Sequence, residues 1–97
     1  MATIQMFMGT NSNDGYLQWI KDHPNGYVLN CEKSPRATYL ILHKASCYTI
    51  NDLQKQAESW TEKYNKICSI DIKEIEVWAQ KNVPGYQGLR HCAKCEP

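Results

Sequence analysis

Two short cysteine and histidine motifs constrain the fold of this chain more than any other feature of its sequence. Cys92 and Cys95 form a Cys-x₂-Cys pair near the C-terminus, and His43 and Cys47 form a His-x₃-Cys pair in mid-chain. A tetrahedral structural zinc takes four such nitrogen and sulfur ligands, and a Cys-x₂-Cys turn offers two thiolates together. We therefore expect these four residues to bind zinc and to tie the C-terminal tail to the centre.

The sequence leaves several candidates for the fourth zinc ligand. Cys68 and His91 compete with His43 for this position. His91 directly precedes Cys92, so the two side chains diverge, and Cys68 lies among apolar residues, where a free cysteine behaves as a small hydrophobic residue. Two other interpretations are that all the cysteines are reduced and structural, or that Cys92 and Cys95 form a redox dithiol.

Length, charge and cysteine content narrow the class of protein. The chain has 97 residues, enough for a single domain over residues 1–97, and its formal net charge of +1 lacks the general basic excess of most nucleic-acid-binding domains. No signal peptide and no apolar run of about 20 residues is recognisable. We therefore expect a cytoplasmic protein without membrane contact, in which five cysteines indicate metal or redox use before disulfides.

Hydrophobic periodicity and capping residues predict an alternation of strands and helices. The predicted strands are residues 4–8, 27–31, 38–43 and 64–70. The predicted helices lie between residues 11 and 24, between 51 and 59, and between 71 and 84. Residues 1–12 fit either an edge strand or a mobile arm, and the spacing of apolar residues also allows one helix from residue 52 to 67.

These elements predict an α+β domain with a small antiparallel sheet of three or four strands and two or three helices on one face. Residues 38–43 lack polar alternation, so we expect this strand to be buried on both faces and central. The turn after Pro24 contains Gly26, which is free to adopt a positive φ.

No catalytic constellation is recognisable in the sequence. It has no G-x-S-x-G motif, P-loop or dinucleotide fingerprint, and His23 beside Asp22 is better explained as a helix-end residue than as a base. A non-enzymatic binding function is therefore favoured. The candidate contacts to nucleic acid or another partner are Lys33, Arg36, Lys44, Tyr48, Tyr64, Lys66 and Tyr86.

Four motifs occur in a fixed order along most of the chain. They are His-Pro-x-Gly-Tyr-Val-Leu-Asn from residue 23, Leu-His-x₃-Cys from residue 42, Trp-Thr-x₂-Tyr-x-Lys-x-Cys from residue 60, and Cys-x₂-Cys-x-Pro from residue 92. This order resembles a small uncharacterised prokaryotic domain that occurs alone or attached to restriction-type and other DNA-associated proteins. The resemblance implies an accessory role, in a prokaryote or phage, in a DNA-processing or defence system.

We therefore expect a zinc-stabilised, non-enzymatic binding module that is associated with nucleic acid or with a protein of such a system. One alternative is a protein-binding regulator or inhibitor of a larger enzyme, with exposed tyrosines and tryptophans as anchors. The other alternative is a thiol redox protein that uses Cys92 and Cys95. The sequence does not define the oligomeric state.

Overall fold

The computed structural model describes residues 4–8, 13–34, 36–37, 39–47 and 64–93 of the chain. The strands are β1 (Gln5–Phe7), β2 (Tyr27–Glu32), β3 (Leu40–Lys44), β4 (Tyr64–Ser69) and β5 (Arg90–His91). The helices are α1 (Asn13–Asp22) and α2 (Ile72–Asn82). The fold is α+β, as predicted, and the predicted helix at residues 51–59 lies outside the described residues.

The described strands form one mixed sheet with the order β1-β4-β2-β3-β5. The first four strands of this order pair antiparallel, whereas β5 pairs parallel with β3, with Leu42 opposite His91. The structure thus corrects the predicted antiparallel sheet of three or four strands to a mixed sheet of five. The missing strand, β5, has only two residues, which is too short for an alternating hydrophobic pattern.

Strand β2 occupies the centre of the sheet, where the sequence predicted β3. Four successive residues of β2, from Val28 to Cys31, are buried. A run buried on both faces is typical of an interior strand. Strand β3 is also covered on both faces, because Leu42 packs in one hydrophobic cluster and Ile41 packs against the other. The apolar run of β3 therefore could not show whether β2 or β3 is the central strand.

The two described helices lie against opposite faces of the sheet, which corrects the prediction of helices on one face. Trp19 of α1 packs in a cluster with Val28, whereas Ile75 of α2 packs in a second cluster with Leu29. Successive residues of a strand point to opposite faces, so Val28 and Leu29 place the helices on opposite sides. We refer to these sides as the α1 face and the α2 face.

A hydroxyl bridge accompanies the cap at the start of α2. The Asp71 carboxylate accepts a hydrogen bond from the Lys73 N–H at 2.9 Å, as expected of an N-cap residue. The Glu74 carboxylate accepts a hydrogen bond from the Ser69 hydroxyl at 2.8 Å. The Asp71 N–H donates to the same hydroxyl at 3.0 Å. Ser69 therefore links the end of β4 to the first turn of α2.

Gly26 is required by close packing and not by its backbone angle. The glycines with positive φ in the described residues are Gly85 and Gly88, so the predicted positive φ of Gly26 is not observed. A Cβ atom at position 26 would lie 2.6 Å from Cη2 of Trp19. The Trp19 ring is held there by His23, whose ring stacks on it with the centroids 4.6 Å apart.

Replacing Gly26 by alanine should therefore destabilise the fold by about 1–3 kcal/mol through overpacking. Trp19→Phe removes the ring atoms that approach position 26, so the alanine should cost less in that background. Urea unfolding of the wild type, both single variants and the double variant gives the coupling free energy. An equal cost of Gly26→Ala in both backgrounds would show that the Trp19 ring is not the obstacle.

Candidate metal centre

A buried cluster of one histidine and two cysteines lies beside the β3–β5 edge of the sheet. His43 belongs to β3, Cys47 follows the turn after β3, and Cys92 follows β5. Their potential ligand atoms all lie within 4.8 Å of one another, and the two sulfur atoms are 4.0 Å apart. None of the three residues is more than 8% exposed.

Backbone hydrogen bonds fix the positions of these residues. The Cys92 N–H donates to the Leu42 carbonyl at 2.9 Å. This bond places Cys92 beside β3, next to the residue that precedes His43. The Cys47 N–H donates to the Lys44 carbonyl at 2.9 Å and closes the turn after β3. The cluster thus depends on the parallel pairing of β5, which the sequence did not predict.

The observed spacing fits a tetrahedral metal ion. With Zn–S bonds of about 2.3 Å and Zn–N bonds of about 2.0 Å, two thiolates lie about 3.8 Å apart and a thiolate and an imidazole nitrogen about 3.5 Å apart. The sulfur–sulfur distance of 4.0 Å is close to the first value. The cluster could therefore hold a metal ion after small side-chain movements.

His43 is held in the protonation state that binds metals. Burial and, to a smaller extent, the positive charge of Lys66 together lower the pKa of His43 to about 4. The imidazole is therefore neutral near pH 7, and a neutral ring nitrogen is the form that coordinates a metal ion.

The other described cysteines and His91 are not part of this cluster. Cys68, the alternative fourth ligand, is fully buried on the α1 face, where burial raises the pKa of its thiol well above the usual range. Cys31 donates to the Asn65 carbonyl at 3.9 Å, and burial raises its pKa to about 11. His91 is exposed on β5, and Cys95 lies outside the described residues.

Lys66 is buried, although the sequence grouped it with the surface contacts. It is 3% exposed on the α1 face, and its ammonium group donates a hydrogen bond to the Asn30 side-chain oxygen. The Lys66 nitrogen lies 5.9 Å from the ring centroid of Tyr16 and 5.8 Å from that of Tyr64. Burial lowers the pKa of Lys66 to about 8, and a phosphate group at the surface cannot reach it.

Three of the predicted contact residues surround one cleft at the Glu32 end of β2. The cleft has a volume of about 410 Å³ and is lined by Glu32, Lys33, Ser34, Arg36 and Tyr64. Arg36 donates two hydrogen bonds to the Glu32 carboxylate, at 2.8 and 2.9 Å. The Tyr64 ring stacks on Tyr39 with the centroids 5.3 Å apart.

The remaining predicted contacts lie elsewhere. Lys44 is exposed at the opposite end of the sheet, where it pairs with Tyr27. Tyr86 is partly buried against the hydrophobic cluster of the α2 face. Tyr48 lies outside the described residues. The structure thus brings Lys33, Arg36 and Tyr64 together but leaves no single surface that contains the whole predicted set.

The fold and the cluster define a small α+β protein with a buried His-Cys-Cys group on one edge of a mixed sheet. Compared with protein-family models, curated proteins and solved structures, the chain gives no significant match. None of the helices in the described ranges is long and apolar enough to span a membrane.

The buried charge of Lys66 predicts a pH-dependent stability. Since the pKa of Lys66 falls from 10.5 to about 8 on folding, the unfolded chain binds more protons between these pH values, and the contribution of this group to stability rises with pH. Relative to Lys66→Met, the wild type should gain up to about 2–3 kcal/mol from pH 8 to 10.5, and an anionic group close to the ammonium would reduce this gain. Urea unfolding of both proteins under reducing conditions measures this difference, with Lys33→Met as the exposed control; a constant difference would contradict the prediction.

Proposed function

We propose that this protein is a zinc-stabilised, non-enzymatic binding module. The observation that carries the proposal is the buried cluster of His43, Cys47 and Cys92, with its ligand atoms within 4.8 Å of one another. Imidazole and thiolate ligands in tetrahedral geometry favour zinc over harder cations. Cys95, which completes the Cys-x₂-Cys motif, supplies the fourth ligand, and the metal ties the C-terminal tail to β3.

A structural role suits this site better than a catalytic one. A catalytic zinc keeps one coordination position open to water or substrate, whereas structural sites are closed. The three clustered residues are at most 8% exposed, so only a very small molecule could reach a metal ion held there. A chain of 97 residues also forms only a small hydrophobic core, for which a metal is a common source of added stability.

Lys66 supports a site with three thiolates. A zinc ion with three thiolates and one neutral histidine carries a net charge of −1, and the charge of Lys66 acts on His43 from the same face of the sheet. Within the described residues Lys66 forms no ion pair with a carboxylate. An anionic metal centre would therefore offset part of the cost of burying this lysine.

The purified protein should contain one zinc ion per chain. Structural zinc contributes on the order of 10–16 kcal/mol in small zinc domains, so a chelator should unfold or greatly loosen the protein. Elemental analysis and thermal melts with and without chelator test this expectation. Cys92→Ser should lose the metal, whereas Cys31→Ser, which keeps a donor for the Asn65 carbonyl on the α2 face, should retain it. Metal-free protein after reducing purification with added zinc would refute the proposal.

We infer that the partner is single-stranded nucleic acid, bound at the cleft of Lys33, Arg36 and Tyr64. Aromatic rings beside basic side chains are the usual elements of such sites, because bases stack on the rings and phosphates contact the cations. The motif order resembles a small uncharacterised domain that occurs alone or attached to DNA-associated proteins, and this resemblance supports the same class of partner. The formal net charge of +1 predicts few phosphate contacts and thus modest affinity, as expected of an accessory protein in DNA processing or defence.

A labelled single-stranded oligonucleotide should bind with an affinity that falls as salt concentration rises. Tyr64→Ala should weaken binding about tenfold or more through lost stacking. Lys33→Glu should weaken binding and also lower the slope of log affinity against log salt concentration by about one, because one phosphate contact is lost. Lys44→Glu, at the opposite end of the sheet, is the control for net charge. Fluorescence anisotropy measures all four proteins, and absence of binding at low salt would refute nucleic-acid association.

A protein-binding regulator is the second candidate, and a groove on the α2 face favours it. The groove has a volume of about 340 Å³ and lies between Ile4 and the helix residues Val77 and Trp78. Val77 is 46% exposed beside this groove, and apolar side chains that line an exposed groove are a common feature of contact surfaces. A protein that binds zinc but no oligonucleotide would favour this second function.

A further inference from the structure

Two of the clustered residues bring a pair of thiols together from distant parts of the chain. The sulfur atoms of Cys47 and Cys92 lie 4.0 Å apart, although the residues are separated by 45 positions in sequence. A disulfide requires a sulfur–sulfur distance of about 2.05 Å. Cys47 lies after the turn that ends β3, and Cys92 lies just beyond β5, so both residues are outside the paired strands and approach by about 2 Å requires little movement of the sheet.

We propose that Cys47 and Cys92 are an oxidation site at which a peroxide forms a disulfide and releases the metal. This inference rests on the proposed metal site, because the same two sulfur atoms would serve as ligands in the reduced protein. Oxidation removes two ligands at once, and His43 alone among the clustered residues then remains available to the metal.

The reaction balances with hydrogen peroxide as the oxidant. Cys92, which is 8% exposed against 3% for Cys47, is the more accessible thiol, and its thiolate attacks one peroxide oxygen. The O–O bond breaks, hydroxide leaves and is protonated to water, and Cys92 becomes a sulfenic acid. The Cys47 thiolate then attacks the Cys92 sulfur and displaces a second hydroxide. Two thiols and one peroxide thus give one disulfide and two waters, with two electrons passing from sulfur to peroxide.

The other described cysteines are unsuited to this reaction. Cys68 is fully buried, Cys31 lies on the α2 face, and burial raises the pKa of both thiols, so both are protonated at neutral pH. The thiolate and not the thiol is the nucleophile. The clustered pair, whose sulfur atoms lie 4.0 Å apart, is the place at which a sulfenic acid can be captured as a disulfide.

A disulfide at this position would keep the tail attached after the metal leaves. It joins the end of β3 to the end of β5 and closes a loop that contains β4 and α2. A covalent link across a long loop restricts the unfolded chain. The oxidised, metal-free protein should therefore melt at a higher temperature than the reduced protein from which zinc has been removed by a chelator.

Treatment of the full-length, zinc-loaded protein with hydrogen peroxide tests the inference. A colorimetric chelator records released zinc, and mass spectrometry of peptides from the alkylated protein identifies the disulfide. We expect loss of the one bound zinc together with a Cys47–Cys92 disulfide, and recovery of both zinc and free thiols after reduction. Cys31→Ser should respond as the wild type does.

The two measurements separate this inference from the proposed function. Protein that binds zinc but keeps it under peroxide, or that forms a Cys92–Cys95 disulfide instead, would overturn the inference and leave the metal site standing. Protein that binds no zinc but forms the Cys47–Cys92 disulfide would support the oxidation site and overturn the metal proposal. Cys95→Ser removes the competing thiol, and loss of the Cys47–Cys92 disulfide in this variant would also count against the inference.

Discussion

The parallel pairing of β5 with β3 is the interaction on which the candidate site depends. It places Cys92 beside β3 through the hydrogen bond from its N–H to the Leu42 carbonyl. A strand of two residues provides few such bonds, each with a net contribution of only about 1 kcal/mol. Strand pairing and metal binding would therefore reinforce each other, because each holds the same segment against the same strand.

The two faces of the sheet, which has β2 at its centre, differ in chemical character. The α2 face is largely apolar, with Leu29, Leu42 and Ile67 packed against Ile75. The α1 face contains the polar pair of Lys66 and Asn30. A buried polar group is costly in a small core unless it is hydrogen-bonded, so the bond between Lys66 and Asn30 offsets part of the cost of burying both side chains on the α1 face.

Much of the secondary structure could be predicted from local signals, whereas the arrangement of the sheet could not. Caps and periodicity indicated both described helices and most strands, but β5 is too short to give a pattern. Lys66 was predicted to lie at the surface because lysine is rarely buried. The two-residue period of a strand nevertheless puts it on the same face as the buried Cys68. The sequence motifs did predict that His43, Cys47 and Cys92 lie together, as the structure shows. Ligand type and spacing can be recognised in a sequence without knowledge of the fold.

The cluster and the cleft lie at opposite ends of the same pair of strands. His43 is near the end of β3 that pairs with the start of β2, and the cleft adjoins Glu32 at the other end. His43 pairs with Val28, and Glu32 lies four residues further along β2. This separation corresponds to roughly 13 Å at about 3.3 Å per residue. A metal ion held by the cluster would therefore not contact a ligand in the cleft directly. It would act on binding through the stability of the sheet and through Lys66, whose charge acts on His43 and whose nitrogen lies 5.8 Å from the ring centroid of Tyr64 in the cleft.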